Sequence, residues 1–127
     1  TESDFRDTLD VVATARFDAA YTFQFSPRPG TPAADMEDQV PQAVVAERFE
    51  RLVALQRQIS LEMNQAEVGR RHEILVEGPS RKDATMATGR TRGNKLVHVP
   101  GLFQPATVLE ATIDRAAPHH LIGSVAP

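Results

Sequence analysis

The chain has 127 residues, a formal net charge of −3, 41% apolar and 24% charged residues, and no cysteine. That balance belongs to a globular domain rather than a disordered tail, and apolar runs of a few residues are too short for a membrane-spanning helix. Without thiols, this chain by itself offers no disulfide, cysteine nucleophile, thiolate zinc site or cysteine-held iron–sulfur cluster.

Charge is unevenly spread: residues 1–66 carry 11 acidic and 6 basic side chains, a net of −5, and residues 67–127 carry 6 acidic and 8 basic, a net of +2. At the start, Phe5, Leu9 and Val12 recur at helical spacing behind Thr1, and Thr1 with Asp4 forms a capping pattern. The spacing predicts a helix over residues 4–15. Residues 19–25 alternate Tyr21, Phe23 and Phe25 against Ala20, Thr22 and Gln24, which predicts a strand with an aromatic face packed in a core. A helix followed by a strand is the second half of a parallel α/β unit, so the segment is expected to belong to a larger α/β domain.

Residues 26–34 hold Pro27, Pro29 and Pro32 around Gly30, a stiff loop with one flexible point. Loops after strands carry the sites of α/β domains, and the planar fork of Arg28 suits a phosphate or carboxylate; the alternative is a rigid turn with an exposed arginine. Pro41 then opens a long helix over about residues 42–66, with Val45, Phe49, Leu52, Ile59 and Met63 on one face. Met63 reads as packing, not as a ligand.

From Gly69 the period changes to two. Strands are predicted over residues 72–77, 83–90, 95–99, 107–115 and 119–125, separated by turn residues such as Gly78-Pro79-Ser80 and Arg92-Gly93-Asn94. Five short strands in so few residues fit a small closed barrel of the oligonucleotide-binding type. The fold class is therefore α+β, a helix–strand–helix part followed by a five-stranded barrel, divided at 66/67.

Five bases, Arg81, Lys82, Arg90, Arg92 and Lys95, stand against the single acid Asp83 between positions 81 and 95. Such a cluster around turns can meet phosphates or form a solvated surface. His98 either packs in the core or stacks on a base. His98, His119 and His120 have no nearby carboxylate or cysteine to complete a metal set, and adjacent histidines on a strand face opposite ways. Ser26 and Ser60 lack a spaced His/Asp partner, and no glycine-rich phosphate loop is present, so no catalytic residue is assigned.

The segment Phe25-Ser26-Pro27-Arg28-Pro29-Gly30-Thr31-Pro32-Ala33 resembles the Tyr/Phe-Ser-x-Arg-Pro-Gly-Thr-x-Ala stretch of the radical-SAM methylthiotransferases that modify tRNA. Gly89-Arg90-Thr91-Arg92-Gly93-Asn94-Lys95-Leu96-Val97-His98-Val99 is similar to the TRAM domain appended to that family. The resemblance covers nearly the whole chain. It implies a carboxyl-terminal piece: the last helix–strand–helix part of a radical-SAM barrel in residues 1–66, then TRAM in 67–127. The implied reaction is methylthiolation of an isopentenylated adenosine beside the anticodon, with two 4Fe–4S clusters and S-adenosylmethionine as the longer enzyme's cofactors. This chain departs from the family pattern in having no cluster-binding cysteine, so it is expected to bind no cofactor and to be inactive alone. By the same resemblance, Phe25, Arg28, Gly30 and Thr31 belong to a cofactor- or substrate-binding loop, and Arg81, Lys82, Arg90, Arg92 and Lys95 contact tRNA at its anticodon stem-loop. The other expected partner is the amino-terminal remainder of the same enzyme; the implied location is cytoplasmic, away from membranes. The alternatives are a stand-alone RNA-binding adaptor and a piece of a relative acting on threonylcarbamoyladenosine.

Overall fold

A computed structural model describes residues 1–125. They form two compact units, Thr1–Ile59 and Ser60 onward. The element order is α1 (Glu2–Ala15), α2 (Gln42–Gln65), β1 (Arg71–Pro79), β2 (Met86–Thr91), β3 (Leu96–Pro100), β4 (Val108–Ala116) and β5 (Leu121–Val125). The α+β class and the five-stranded barrel expected from the sequence are both present.

In the first unit, α1 begins with the expected capping box: the Asp4 amide donates to Thr1 Oγ1 at 3.2 Å and the Asp4 side chain bonds back to the cap. The helix stops at Arg16, whose φ of 49° is left-handed. No α1 residue is fully buried, while Phe5, Leu9 and Val12 are half-buried; polar contacts also link the helix to α2. Glu2 meets Arg51 at 2.9 Å and Arg48 at 3.4 Å. The Arg51 and Arg48 guanidinium carbons lie 4.9 and 5.8 Å from the Phe5 ring centroid, near enough for cation–π attraction.

The expected strand at residues 19–25 does not form. Tyr21 is 96% and Phe23 84% exposed, so the aromatic stripe packs in no core of the described chain. Alternation is a necessary condition for a strand. The sufficient one is a neighbouring strand to take its N–H and C=O groups, and the described residues of this unit supply none.

The second unit closes into a barrel of strand order β1-β2-β3-β5-β4, with β3–β5 as its parallel pair. Its core is Ile74, Val76, Ala87, Val97, Val99, Ala111, Ile113 and Leu121, with Phe103, Leu109, Ala116 and Val125 packed against it. Bulges between Val76 and Gly78 and between Ile113 and Arg115 bend the two longest strands, as closure of so few strands requires. β2 starts at Met86 rather than 83, because Asp83 Oδ1 accepts hydrogen bonds from the Thr85 amide at 2.9 Å and hydroxyl at 2.6 Å and makes a turn there. Gly89 stands where β2 crosses β1: a Cβ there would lie 2.6 Å from both Ile74 Cγ2 and the Leu75 carbonyl oxygen.

Gly89→Ala is accordingly expected to destabilise the barrel by roughly 1–3 kcal/mol. Gly93→Ala, whose Cβ would come no nearer than 3.8 Å to Thr91 Oγ1, should leave the urea midpoint of the same transition almost unmoved.

A second expectation concerns acid. The hydrogen bond from Arg51, aided by the charges of Arg51, Arg48 and Arg6, holds the Glu2 carboxyl below its ordinary pKa. A lowered folded-state pKa contributes stability that is present above the unfolded value and lost as pH falls through the folded one. Hydrogen exchange of α1 amides, corrected for intrinsic rate, should quicken below the usual carboxylate range. Glu2→Gln should show the faster exchange already at pH 7 and lose much of that pH response.

Candidate nucleic-acid interface

Strand alternation in the barrel turns Thr88 and Arg90 of β2, Leu96 and His98 of β3, and Ile122 of β5 away from the core. Register places them side by side: Thr88 opposite His98, Arg90 opposite Leu96, and His98 opposite Ile122. These residues floor a groove of about 830 Å³, walled by the β1–β2 loop with Arg81, Lys82 and Asp83 and by the β4–β5 loop with His119 and His120. In five-stranded barrels of the oligonucleotide-binding type, this is the face on which nucleic acids lie: strands 2 and 3 between the loops that follow strands 1 and 4.

The β1–β2 loop is tied together from within. The Ser80 amide donates to the Met86 carbonyl at 2.8 Å and the Met86 amide to the Asp83 carbonyl at 3.1 Å. Asp83 gives its carboxylate to Thr85, and those hydrogen bonds hold its pKa below the ordinary value. Arg81 and Lys82 are exposed on this loop. Arg90 is braced at the floor: its Nε donates to Glu77 Oε1 and a terminal nitrogen to the Asn94 carbonyl, both at 3.2 Å.

The other two predicted cations lie outside the groove. Arg92 is 84% exposed and pairs with Glu73 at 2.8 Å. Lys95 is half-buried, and its Nζ donates to Asn64 Oδ1 at 2.9 Å. The same Asn64 amide donates through Nδ2 to the Ala117 carbonyl at 2.8 Å and to that of Pro118 at 3.3 Å. Asn64 is buried at the carboxyl end of α2 and fixes the loop that carries His119 and His120.

His98 is half-buried on the outer face, not in the core. Its Nδ1 is 3.0 Å from Thr88 Oγ1, and its ring stands edge-to-face with His120, centroids 5.1 Å apart at 67°. Desolvation, reinforced by the charges of His120 and Lys82, lowers its pKa and disfavours the charged ring. The pairing of His98 with His120 is not visible to sequence reasoning, because the two are 22 positions apart and only the parallel β3–β5 contact joins them.

In the first unit, residues 28–31 form a turn: the Thr31 amide donates to the Arg28 carbonyl at 3.2 Å, with Pro29 and then Gly30, φ 81°, at its centre. This fits a type II turn, which needs glycine at its third position. A Cβ on Gly30 would meet nothing within 4 Å, so its left-handed backbone, not crowding, requires the glycine. The Thr31 hydroxyl donates to the Arg28 carbonyl at 2.7 Å. Phe25 lines a hollow of about 530 Å³ with Pro27, Met36, Val40 and Val45, among others. Arg28, Gly30 and Thr31 are not in its wall.

Among the described residues, no group of three or more His, Asp or Glu is placed to hold a metal ion, and no helix is long and apolar enough to cross a membrane. Asn64→Ala is expected to cost about 1–3 kcal/mol in urea unfolding, since it removes the hydrogen bonds to the carbonyls of residues 117 and 118 and to Lys95. It should also speed amide exchange in residues 117–120 beyond any change in β1.

Residues 65–126 match the family model described as the TRAM domain. The chain is 57% identical over 130 residues to tRNA-2-methylthio-N(6)-dimethylallyladenosine synthase 1 of Mycobacterium marinum, covering 96% of this chain and 25% of that protein. The synthases of Rhodococcus jostii and Mycolicibacterium gilvum are 54% and 52% identical, over 96% and 100% of this chain and 26% of each relative. The chain thus spans about a quarter of the length of the curated relatives it matches.

Proposed function

We propose that this chain, a member of the tRNA methylthiotransferase family carrying a TRAM domain, serves as the tRNA-holding part of a cytoplasmic enzyme that methylthiolates an isopentenylated adenosine beside the anticodon. The observation that carries this reading is the groove: a barrel face suited to oligonucleotides, rimmed by the two exposed cations Arg81 and Lys82, with Arg90 at its floor. Phosphate contacts of this kind position an RNA and supply salt-dependent affinity without reading sequence. Arg92, off the groove, extends the positive surface, and Lys95 contributes mainly by holding Asn64.

In this reading, residues 1–66 complete the radical-SAM barrel of the longer enzyme and residues 67–127 act as the RNA-binding module. The turn of Arg28, Gly30 and Thr31, with Phe25 before it, lies toward the S-adenosylmethionine or substrate-adenosine end of that barrel. The family's 4Fe–4S clusters do not fit this chain: it has no cysteine, and no metal-holding group occurs among the described residues. Cluster and cofactor chemistry therefore belongs to the amino-terminal remainder, and this chain's own contribution is to bind and orient tRNA at the anticodon stem-loop. What supports this over a stand-alone adaptor is that identity to the synthases runs through both units, not through the barrel alone.

The test is a tRNA titration with the chain at several salt concentrations, repeated with Arg81→Ala/Lys82→Ala. The double variant should bind more weakly, with the slope of log K against log salt smaller by about 1.4–1.8. In the longer enzyme the same pair should raise KM for tRNA and leave S-adenosylmethionine affinity unchanged. An unaltered salt slope and KM would remove the groove rim from tRNA binding.

A further inference from the structure

The cations at the rim account for phosphate contacts, but not for what lies between them. His98 of the floor and His120 of the facing wall line the same groove, with Leu96, Ile122 and Met86 also in its lining. Thr88 fixes the His98 ring through Nδ1, and the edge-to-face packing fixes one imidazole against the other. Such a pair engages one ring face at the contact and leaves other ring faces available to a third planar group. A half-buried imidazole whose charged form is disfavoured presents mainly a flat, partly desolvated surface, which suits a base better than a phosphate. Arg81 and Lys82 stand on the wall of the same groove. An aromatic and aliphatic floor beside a cationic wall matches the two ends of one nucleotide, base and phosphate. A base paired in a duplex has both faces occupied by its neighbours in the stack, so only an unpaired nucleotide offers a free face.

We infer that the groove is a subsite for an unpaired RNA nucleotide, its base stacked on the His98–His120 pair and its phosphate held by Arg81 and Lys82. This rests on the RNA-binding reading above and deepens it: the TRAM barrel grips a single-stranded or splayed-out stretch of its RNA, and the histidines supply contact through ring faces where the cations supply charge. Glu77 is paired with Arg90, whereas Asp83 keeps its charge, stabilised by Thr85, and offsets part of the positive charge that Arg81 and Lys82 offer a phosphate.

The experiment follows fluorescence anisotropy of a labelled ten-nucleotide oligoadenylate on adding the 127-residue chain, with an A–U duplex of equal length as competitor. The single strand should bind and the duplex compete poorly. His120→Ala should weaken single-strand binding at least about fivefold with the salt slope unchanged, His120→Phe should restore it to within about twofold, and Lys82→Ala should flatten the slope by about 0.7. Urea midpoints of both His120 variants within experimental error of the parent tie any loss to the site. His120→Ala binding like the parent, His120→Phe as weak as His120→Ala, or a duplex that competes as well as the single strand would each overturn the stacking subsite while leaving RNA binding intact. No binding of either RNA, or of tRNA, would overturn the RNA-binding reading and this subsite with it.

Discussion

A barrel of five strands has room inside for only every second side chain, and the organisation of the second unit follows from that limit. Ile74, Val76, Ala87, Val97, Val99, Ala111, Ile113 and Leu121 take the inward places. Gly89 and Gly123 stand where strands approach so closely that a Cβ would lie 2.6 and 2.7 Å from neighbouring carbonyl oxygens. The residues left between them have no choice but the outside. Because β3 pairs with β5 in parallel, the outward residues of β2, β3 and β5 form one continuous surface. Packing of the core thus decides that Thr88, Arg90, Leu96, His98 and Ile122 share a floor, although no two of the three strands carrying them have the same composition.

The same strand order decides which loops overhang that floor, and each loop is fixed by spending its own polar groups. Ser80, Asp83, Thr85 and Met86 bond among themselves in the β1–β2 loop. Asn64, at the end of α2, holds the carbonyls of residues 117 and 118 in the β4–β5 loop, with Lys95 closing the set. What remains uncommitted is Arg81 and Lys82, whose hydrated charges cost nothing to leave in water and, in the proposed RNA complex, would gain by releasing counterions from a phosphate backbone. The floor works by the opposite rule: its rings are already partly dehydrated, so covering them with a base costs little further desolvation. In the proposed complex, charge at the rim and flat surface at the floor would be separate contributions, each from different residues.

Much of this was legible in the sequence where local rules act. Thr1 and Asp4 announced the start of α1, and the change to a period of two after Gly69, with turn residues between short runs, announced five strands and their closure. Non-local facts were not legible. The alternation of Tyr21, Phe23 and Phe25 says which face of a strand would be buried, but not whether another strand is at hand, and the described residues of this unit supply none. Lys95 reads as a cation for phosphate because its charge is written in the sequence, whereas its engagement is with Asn64, 31 residues earlier. Gln56, Ser60 and Asn64 are buried at four-residue spacing on α2, hidden from an apolar pattern because their burial is justified by hydrogen bonding: Gln56 to the Phe17 carbonyl at 2.8 Å and Asn64 to Ala117. His98 and His120 are each unremarkable alone, and only the barrel's closure makes them a pair.

The two units also differ in what stabilises them. The barrel closes on itself, with side chains such as Ile74, Val97 and Leu121 wholly removed from water, a term of roughly 1.5–3 kcal/mol for each large side chain. In the first unit α1 has no buried residue, and the ion pairs and cation–π contacts that link it to α2 are weak where solvent reaches them. Its aromatic segment presents Tyr21 and Phe23 almost fully to water, an unfavourable arrangement for side chains of that size. Residues 19–25 therefore have the alternation, the β-propensity and the exposed surface of a strand, and lack only the ladder. The chain spans about a quarter of the length of the curated relatives it matches, and the described residues of this unit supply no neighbouring strand to complete that ladder. The first unit is thus held by contacts that water weakens and leaves its aromatic segment without a ladder among the described residues, whereas the second closes a sheet and a core of its own.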